Sequence, residues 1–150
     1  MRLELTRRAD YGVRAMLALA RHEGEEPLSA ARIAASMAIP PRFVGQVMSD
    51  LVAAGFVEAR TGRSGGYRLR KLPTEISILA IVEATEGDSR RRVCVLRNAP
   101  CSVDGACDVH AIFQAAQDAL IGRLAAATLA EATADGAAPS SPGKAAASVR

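Results

Sequence analysis

Aromatic residues are scarce in this chain of 150 residues, which contains no Trp, two Tyr and three Phe. Alanine is used heavily instead, and this composition favours small α-helical elements over a β-sandwich. Uninterrupted apolar runs of about eighteen residues, the length that spans a bilayer, are also missing. The N-terminal stretch MRLELTRRAD lacks the apolar region of a signal peptide. We therefore expect a cytoplasmic, mainly α-helical protein.

Residues for enzyme chemistry are equally few. His22 and His110 are the only histidines, and no paired carboxylates fall on a common helical face. A nucleophile, base and orienting acid therefore cannot be assembled from the pattern. We expect that the chain is not an enzyme.

Basic charge is concentrated in the first half of the chain. Residues 1–71 contain twelve Lys and Arg against seven Asp and Glu, whereas residues 72–150 contain seven against nine. The net charge of the whole chain is +3, so the basic excess belongs entirely to the first half. A basic module of this kind is typical of a protein that faces nucleic-acid phosphates.

Hydrophobic periodicity predicts three helices followed by a hairpin. Apolar residues recur at three- and four-residue steps over Arg7–Arg21, and Ser29 is suited to cap a second helix. A third helix is predicted over 41–54, since a proline suits its first turn and a glycine follows its end. Apolar and polar residues then alternate on both sides of the glycine-rich turn TGRSGG. This alternation predicts two antiparallel strands with a basic tip.

The order of these elements predicts a winged helix-turn-helix domain over residues 1–87, completed by a fourth helix that Thr74 caps. A cysteine-containing loop follows at 88–107. Residues 108–133 are expected to form one long dimerisation helix, because its apolar stripe is too long for a small domain to cover. The final stretch, 134–150, is rich in Pro, Gly, Ser and Ala and is predicted to be a disordered tail.

The winged helix-turn-helix arrangement predicts which side chains contact DNA. A third helix of this kind enters the major groove, where Gln suits adenine and Arg suits guanine or phosphate. The wing tip and the first helix are expected to reach phosphates or a narrow minor groove. The candidate DNA contacts are Arg42, Gln46, Ser49, Arg60, Arg63 and Arg8.

Three cysteines lie within one short segment and are the only cysteines of the chain. Cys94, Cys101 and Cys107 have the spacing C-x6-C-x5-C. Thiolates select iron–sulfur clusters, zinc or copper(I), and structural zinc usually shows closer cysteine pairs than these. Since an iron–sulfur cluster typically takes four protein ligands, the fourth ligand would come from outside the chain or from one of three side chains, namely His110, Asp10 and Asp108.

Several stretches resemble the Rrf2 family of bacterial transcription regulators. They are the opening MRLELTRRADYGVRAMLALA, the turn and helix IAASMAIPPRFVGQVMSDLVAAGFV and the wing ARTGRSGGYRL. The resemblance covers residues 1 to about 133. It implies a homodimer that contacts double-stranded DNA through the third helix and the wing.

The same resemblance implies a cluster, either 2Fe-2S or 4Fe-4S, bound by Cys94, Cys101 and Cys107. His110 lies at C-x2-H spacing from the last cysteine, which is similar to the IscR branch of the family. Asp10 is similar to the carboxylate that the NsrR branch supplies from the first helix of the opposite subunit. Both residues are therefore candidate cluster ligands.

We expect a DNA-binding transcriptional regulator that depends on an iron–sulfur cluster and senses nitric oxide, redox state or iron and cluster status. Of the two modes of regulation, we expect repression and not activation. Two-fold symmetry of the dimer predicts an operator that is an inverted repeat. The alternative is a cluster-free or zinc-binding winged-helix regulator that responds through thiol redox chemistry.

Overall fold

The computed structural model describes residues 5–24, 26–87 and 109–134. It shows the expected winged helix-turn-helix, with two further helices at the C-terminal end. The α-helices are α1 Arg7–Arg21, α2 Ala30–Ser36, α3 Pro41–Ala53, α4 Ile78–Glu86, α5 His110–Ala126 and α6 Leu129–Ala134. The strands are β1 Val57–Arg60 and β2 Gly66–Leu69, and a 3-10 turn spans Pro73–Glu75. The predicted loop 88–107 lies outside the described residues, as does the predicted tail except Ala134, which belongs to α6.

Side-chain hydroxyls start three of the helices. Thr6, Ser29 and Ser77 each accept a hydrogen bond from the backbone N–H three residues further along the chain, which satisfies an N–H that has no partner inside the helix. The predicted cap at Ser29 is confirmed. The predicted cap at Thr74 is wrong, because that residue lies within the 3-10 turn and α4 begins only after Ser77.

The wing is an antiparallel pair in which Val57 faces Leu69 and Arg60 faces Gly66. At its base, Leu28 and Tyr67 exchange backbone hydrogen bonds of 3.0 and 2.8 Å, so the segment before α2 borders β2. Gly66 has a φ of +158° and lies so close to this segment that a Cβ there would be 2.5 Å from the Leu28 carbonyl oxygen. Only glycine fits at this close approach, which explains the last glycine of the turn.

The hydrophobic core is built around α1, which packs against α3, α4 and α6. Fully buried side chains from almost every element meet there, among them Met16, Ile33, Met48, Leu51, Ile76, Ile81 and Leu129. At the crossing of α1 and α4, a Cβ on Gly12 would lie 2.8 Å from the methyl carbon of Thr85. The two helices therefore approach closely because Gly12 carries no side chain.

The C-terminal region corrects one prediction. The single helix expected over 108–133 is interrupted, because the backbone is extended at Ala127 and α6 begins at Leu129. Thr128 and Glu131 form a capping box, in which each side chain accepts the other residue's backbone N–H at 3.2 and 2.9 Å. Backbone hydrogen bonds also join Ile78 N–H to Ala127 and Leu129 N–H to Ile76, and the Leu129 side chain is fully buried. The chain turns back to the core at this point.

Among the α-helices of the described residues, α5 is the one that has no buried residue. The apolar stripe predicted for this helix consists of Val109, Phe113, Ala116, Leu120, Leu124 and Ala127. Of these, Phe113 and Leu124 are half-buried within their own chain. Leu120, also on that stripe, stays 37% exposed, and Ile112, which was not assigned to it, is 68% exposed. Across residues 5–24, 26–87 and 109–134, no helix combines the length and apolar character that crossing a bilayer requires.

Candidate nucleic-acid interface

α3 has one face in the core and one face in solvent. Its inner face buries Val44, Val47, Met48 and Leu51. Its outer face exposes Arg42, Gly45, Gln46 and Ser49. The predicted third-helix residues are therefore together on an accessible surface, which is the arrangement that a helix inserted into a groove requires.

Gly45 keeps the outer face of α3 flat. A Cβ at this position would meet no atom within 4 Å among the described residues, so the chain itself gives no packing reason for a glycine. Glycine in a helix interior lowers helix stability by about 0.5–1 kcal/mol relative to alanine. The open space outside Gly45 is instead suited to the close approach of another molecule.

Arg8 and Gln46 come together through a residue that sequence reasoning did not assign to the site. The Asp50 carboxylate accepts hydrogen bonds from Arg8 Nε at 2.8 Å and from Arg8 Nη2 at 2.7 Å. Its Oδ1 atom also accepts a hydrogen bond from Gln46 Nε2 at 3.2 Å. Gln46 and Asp50 are four residues apart on α3, a spacing that places them side by side and that signals their contact in the sequence. The guanidinium of Arg8 is thus paired with a carboxylate.

Arg42 lies at the first turn of α3, over an aromatic ring. Its guanidinium carbon is 4.8 Å from the centroid of the Phe43 ring, which in turn lies 5.4 Å from the ring of Tyr11 on α1. A cation–π contact of this kind restricts the guanidinium without neutralising its charge. Arg42 therefore remains a cation on the outer face of α3.

The wing carries two arginines in different surroundings. Arg60 Nε lies 3.2 Å from Glu58 Oε1, and the same carboxylate oxygen accepts a hydrogen bond from Arg68. The hydrogen bond from Arg68 lowers the pKa of Glu58 below its ordinary value, with the charge of Arg60 acting in the same direction. Arg63, at the exposed tip, forms no hydrogen bond or ion pair within the described parts of the chain.

The predicted cluster ligands are only partly described. The three cysteines lie outside the described residues. His110 is the exposed first residue of α5, and Asp10 on α1 accepts a hydrogen bond from Arg14 Nε at 2.9 Å. Among the residues that the structure does describe, no three metal-binding side chains converge. The geometry therefore leaves the ligand set as a prediction.

One contact ties the start of α1 to the end of α4. The backbone N–H of Thr6 donates a hydrogen bond of 2.8 Å to Glu86 Oε1, and the backbone N–H of Asp10 donates to the Thr6 carbonyl at 2.9 Å. Glu86 is the last residue of α4, two positions before the cysteine-containing segment begins. The first turn of α1, with Asp10, is thus close to the point where that segment leaves the domain.

Comparisons with known proteins agree with this architecture. Residues 5–135 match the Rrf2 family model, described as an iron-dependent transcriptional regulator. The transcriptional repressor NsrR of Streptomyces coelicolor is 31% identical over 93% of both chains. The structure of CymR, the global cysteine regulator of B. subtilis, superposes with a TM-score of 0.79 and 26% identity, covering 91% of this chain and 100% of CymR. T. potens IscR superposes with a TM-score of 0.74 and 27% identity, covering 94% of each chain.

Proposed function

Since the chain belongs to the Rrf2 family of transcriptional regulators, we propose that it is a homodimeric repressor whose binding to operator DNA is controlled by an iron–sulfur cluster. The observation that carries the proposal is the combination of an exposed, cation-bearing α3 and wing with three cysteines inside fourteen residues. The signal would be nitric oxide, redox state or iron and cluster status, all of which act on iron held by thiolates.

DNA binding rests on the two exposed surfaces of the winged half. α3 is inserted into the major groove, where Gln46 reads a base and Arg42 and Ser49 contact bases or phosphates. The wing tip reaches the neighbouring phosphates through Arg63, since this guanidinium has no partner among the described residues. Arg60 also faces DNA, but Glu58 offsets part of its charge.

The dimer is formed by α5. A helix of seventeen residues that buries none of them within its own chain has apolar surface left to cover. Pairing of two copies through Ile112, Ala116 and Leu120 covers this surface. α6 joins α5 to α1 and to the turn before α4, so the dimer contact determines how the two α3 helices are placed. The two-fold axis then requires an inverted-repeat operator.

The cluster is bound by Cys94, Cys101 and Cys107, with His110 of the same subunit or Asp10 of the other completing the set. Thiolate sulfur with imidazole or carboxylate is a donor set that suits iron–sulfur clusters. The Asp10 side chain is 38% exposed, and Arg14 is its one side-chain partner among the described residues, so its carboxylate is accessible. When bound, the cluster supplies iron that reacts with oxidants or nitric oxide.

The tie between Thr6 and Glu86 provides a route from the cysteine segment to the DNA-reading surface. The cysteine segment follows α4, whose last residue accepts a hydrogen bond from the residue before α1, and α1 in turn packs against α3. Binding of the cluster restricts the cysteine segment and thereby favours one placement of α1 and α3. A ligand that favours one of two placements is what allosteric control requires.

The test combines three substitutions with two measurements, iron content and affinity for an operator selected from random duplex DNA. Cys101→Ala should abolish the visible absorbance of the anaerobically purified protein and remove the response of DNA binding to iron loss. Of His110→Ala and Asp10→Ala, the one that destabilises the cluster identifies the fourth ligand.

Two controls accompany the test. His22→Ala removes the other histidine, and Arg14→Ala removes the ion pair of Asp10 but keeps its carboxylate. Full iron content and a retained response in Cys101→Ala would refute cluster control. Colourless, zinc-loaded parent protein would instead support the cluster-free or zinc-binding regulator.

A further inference from the structure

We propose that Asp50 is a specificity-determining positioning residue, which orients the Gln46 amide toward DNA bases and withholds the Arg8 charge from DNA phosphates. This inference rests on the proposed function only in requiring that α3 binds DNA. Neither role needs Asp50 to contact the nucleic acid. The two roles follow from separate hydrogen bonds made by one carboxylate.

The position of the Asp50 carboxylate is well determined by its surroundings. Its side chain is only 14% exposed, although it lies next to the solvent-exposed face of α3. It accepts two hydrogen bonds from the Arg8 guanidinium in a two-pronged arrangement and a third from Gln46. Arginine and carboxylate groups paired through two parallel hydrogen bonds have a fixed relative geometry. The acceptor offered to Gln46 is therefore fixed in position before DNA arrives.

This acceptor decides which way the Gln46 amide faces. An ionised carboxylate can only accept hydrogen bonds, so Asp50 must bind the amide nitrogen of Gln46 and not its oxygen. One N–H of that amide is then occupied, while the second N–H and the carbonyl oxygen remain available. A donor beside an acceptor is the pair that adenine N7 and N6 require in the major groove. Asp50 thus holds Gln46 in an orientation that suits adenine.

The same carboxylate cancels a positive charge beside the reading surface. Arg8 was expected to contact the DNA backbone, but its guanidinium is paired with Asp50 at distances down to 2.6 Å. Each phosphate contact adds to binding on every sequence and steepens its dependence on salt. By pairing with Arg8, Asp50 lowers the sequence-independent part of the affinity. Specificity is the difference between the affinities for two DNA sequences. When the affinity that all sequences share is lowered, a larger fraction of the total affinity depends on the bases.

The network is not needed to hold α1 against α3. The two helices already pack through fully buried core side chains such as Met16 and Met48. The Arg8 side chain is 48% exposed, and ion pairs with so much solvent access contribute little to folding stability. The placement of an acid on a DNA-facing helix is therefore better explained by its effect on Gln46 and Arg8.

The experiment measures binding of the full-length homodimer to duplexes selected from a random library, at several salt concentrations. Asp50→Ala should steepen the slope of log affinity against log salt by about one phosphate contact per subunit, because Arg8 is released. It should also lower the preference for adenine by roughly tenfold, at the one position whose preference Gln46→Ala removes. Asp50→Asn should steepen the slope similarly, since the charge is lost while the size is kept.

Two controls separate these effects from general ones. Arg8→Ala combined with Asp50→Ala should return the salt slope to that of the parent, because the released cation is gone. Glu26→Ala also removes one negative charge, but beyond the C-terminal end of α1, where Glu26 lines a cavity together with Leu19 and Tyr67. This variant should change neither the salt slope nor the preference for adenine. Circular dichroism checks that every variant is folded.

The outcomes distinguish this inference from the proposed function. A parent protein that binds no duplex in a salt-dependent way would refute DNA binding itself. A parent that binds, together with an Asp50→Ala variant of unchanged slope and unchanged adenine preference, would refute only the role of Asp50. A steeper slope that persists in the double variant would show that Arg8 is not the released charge and would also overturn it.

Discussion

α1 and α5 are helices of similar length in opposite surroundings. α1 has fifteen residues and buries six of them, whereas α5 has seventeen and buries none. Both contain apolar residues at three- and four-residue steps, but those of α1 are concentrated on one face, whereas those of α5 are spread around the helix. The difference is that α1 packs against several elements of its own chain, while α5 contacts mainly α4. A one-sided apolar face thus accompanies burial within the chain in α1, whereas apolar residues spread around α5 do not predict what covers that helix.

The outer face of α3 is also exposed to solvent, but its residues differ in character from those exposed on α5. It exposes Arg42, Gly45, Gln46 and Ser49, which are polar or small, whereas α5 exposes Ile112 and Leu120. A polar outer face beside a paired arginine suits a charged, hydrogen-bonding partner such as DNA. An apolar outer face suits a second protein surface. Substitutions on α1, on α5 and on the outer face of α3 therefore test whether these surroundings determine what each helix contacts.

The largest effect is expected from removing core volume on α1. Met16 is fully buried, so Met16→Ala should lower the free energy of unfolding by about 2–5 kcal/mol because it leaves a cavity. Ile112→Ala on α5 should change it by less than about 0.5 kcal/mol at protein concentrations too low for dimers. Urea unfolding at two protein concentrations measures both values. An equal loss for the two variants in dilute protein would contradict the contrast between α1 and α5.

Much of the winged half follows from its sequence, because local signals and packing agree there. The cap at Ser29, the proline at the start of α3 and the glycine-rich turn of the wing each specify one backbone conformation, and the structure has all three. The interruption after α5 was missed although Thr128 and Glu131 carry a capping-box pattern. The alanine-rich sequence around these two residues has high helix propensity on both sides of the interruption. The tertiary contacts of Leu129 therefore determine where the helix is interrupted.

The candidate site was predicted less completely than the fold. Residue type and helical phase place Arg42, Gln46 and Ser49 on the outer face of α3. They do not show that Arg8, from a helix 42 residues earlier in the chain, pairs with Asp50. Contacts between side chains so distant in sequence depend on how α1 crosses α3, which periodicity alone does not give.

The second-largest effect is expected when a charge is placed on the exposed apolar residues of α5. Ile112→Lys places a charge where the proposed dimer buries an apolar side chain, so it should weaken dimerisation by roughly tenfold or more. Leu72→Lys is the matched control, because Leu72 is 58% exposed on the loop after the wing. Sedimentation of both variants over a range of concentrations measures the effect. A parent that stays monomeric at micromolar concentration would exclude the α5 dimer.

Gln46→Ala addresses the polar face of α3. If Gln46 makes a bidentate contact with one base, its removal should cost about 1–3 kcal/mol of discrimination at one base pair. Competition between the selected operator and single-base variants measures this preference. The control is Arg63→Ala, which should weaken all duplexes alike. Undiminished discrimination in Gln46→Ala would show that Gln46 is not a base reader.

Gly45→Ala should separate stability from binding on the same helix. Alanine at this exposed helical position should raise the free energy of unfolding by about 0.5–1 kcal/mol, since its Cβ meets no described atom within 4 Å. DNA affinity should fall if the groove approaches the backbone there. Gly122→Ala on α5, which is equally open, should give the stability gain without the loss of DNA affinity. Unchanged affinity in Gly45→Ala would show that DNA does not approach this position.

The smallest effect is expected at the wing, where the two arginines allow a comparison within one hairpin. Arg63→Ala should flatten the dependence of log affinity on log salt by about one unit per lost phosphate contact. Arg60→Ala should change the slope less, because Glu58 already offsets the Arg60 charge.

The difference between the salt slopes of the two variants should persist from pH 7 to pH 5. The pKa of Glu58 is held below its ordinary value by the hydrogen bond from Arg68, so this carboxylate stays ionised over that range. Its pairing with Arg60 would weaken only at lower pH. Binding isotherms at several salt concentrations and both pH values measure the slopes. Equal slopes for the two variants would show that pairing within the wing does not decide which arginine reaches the phosphates.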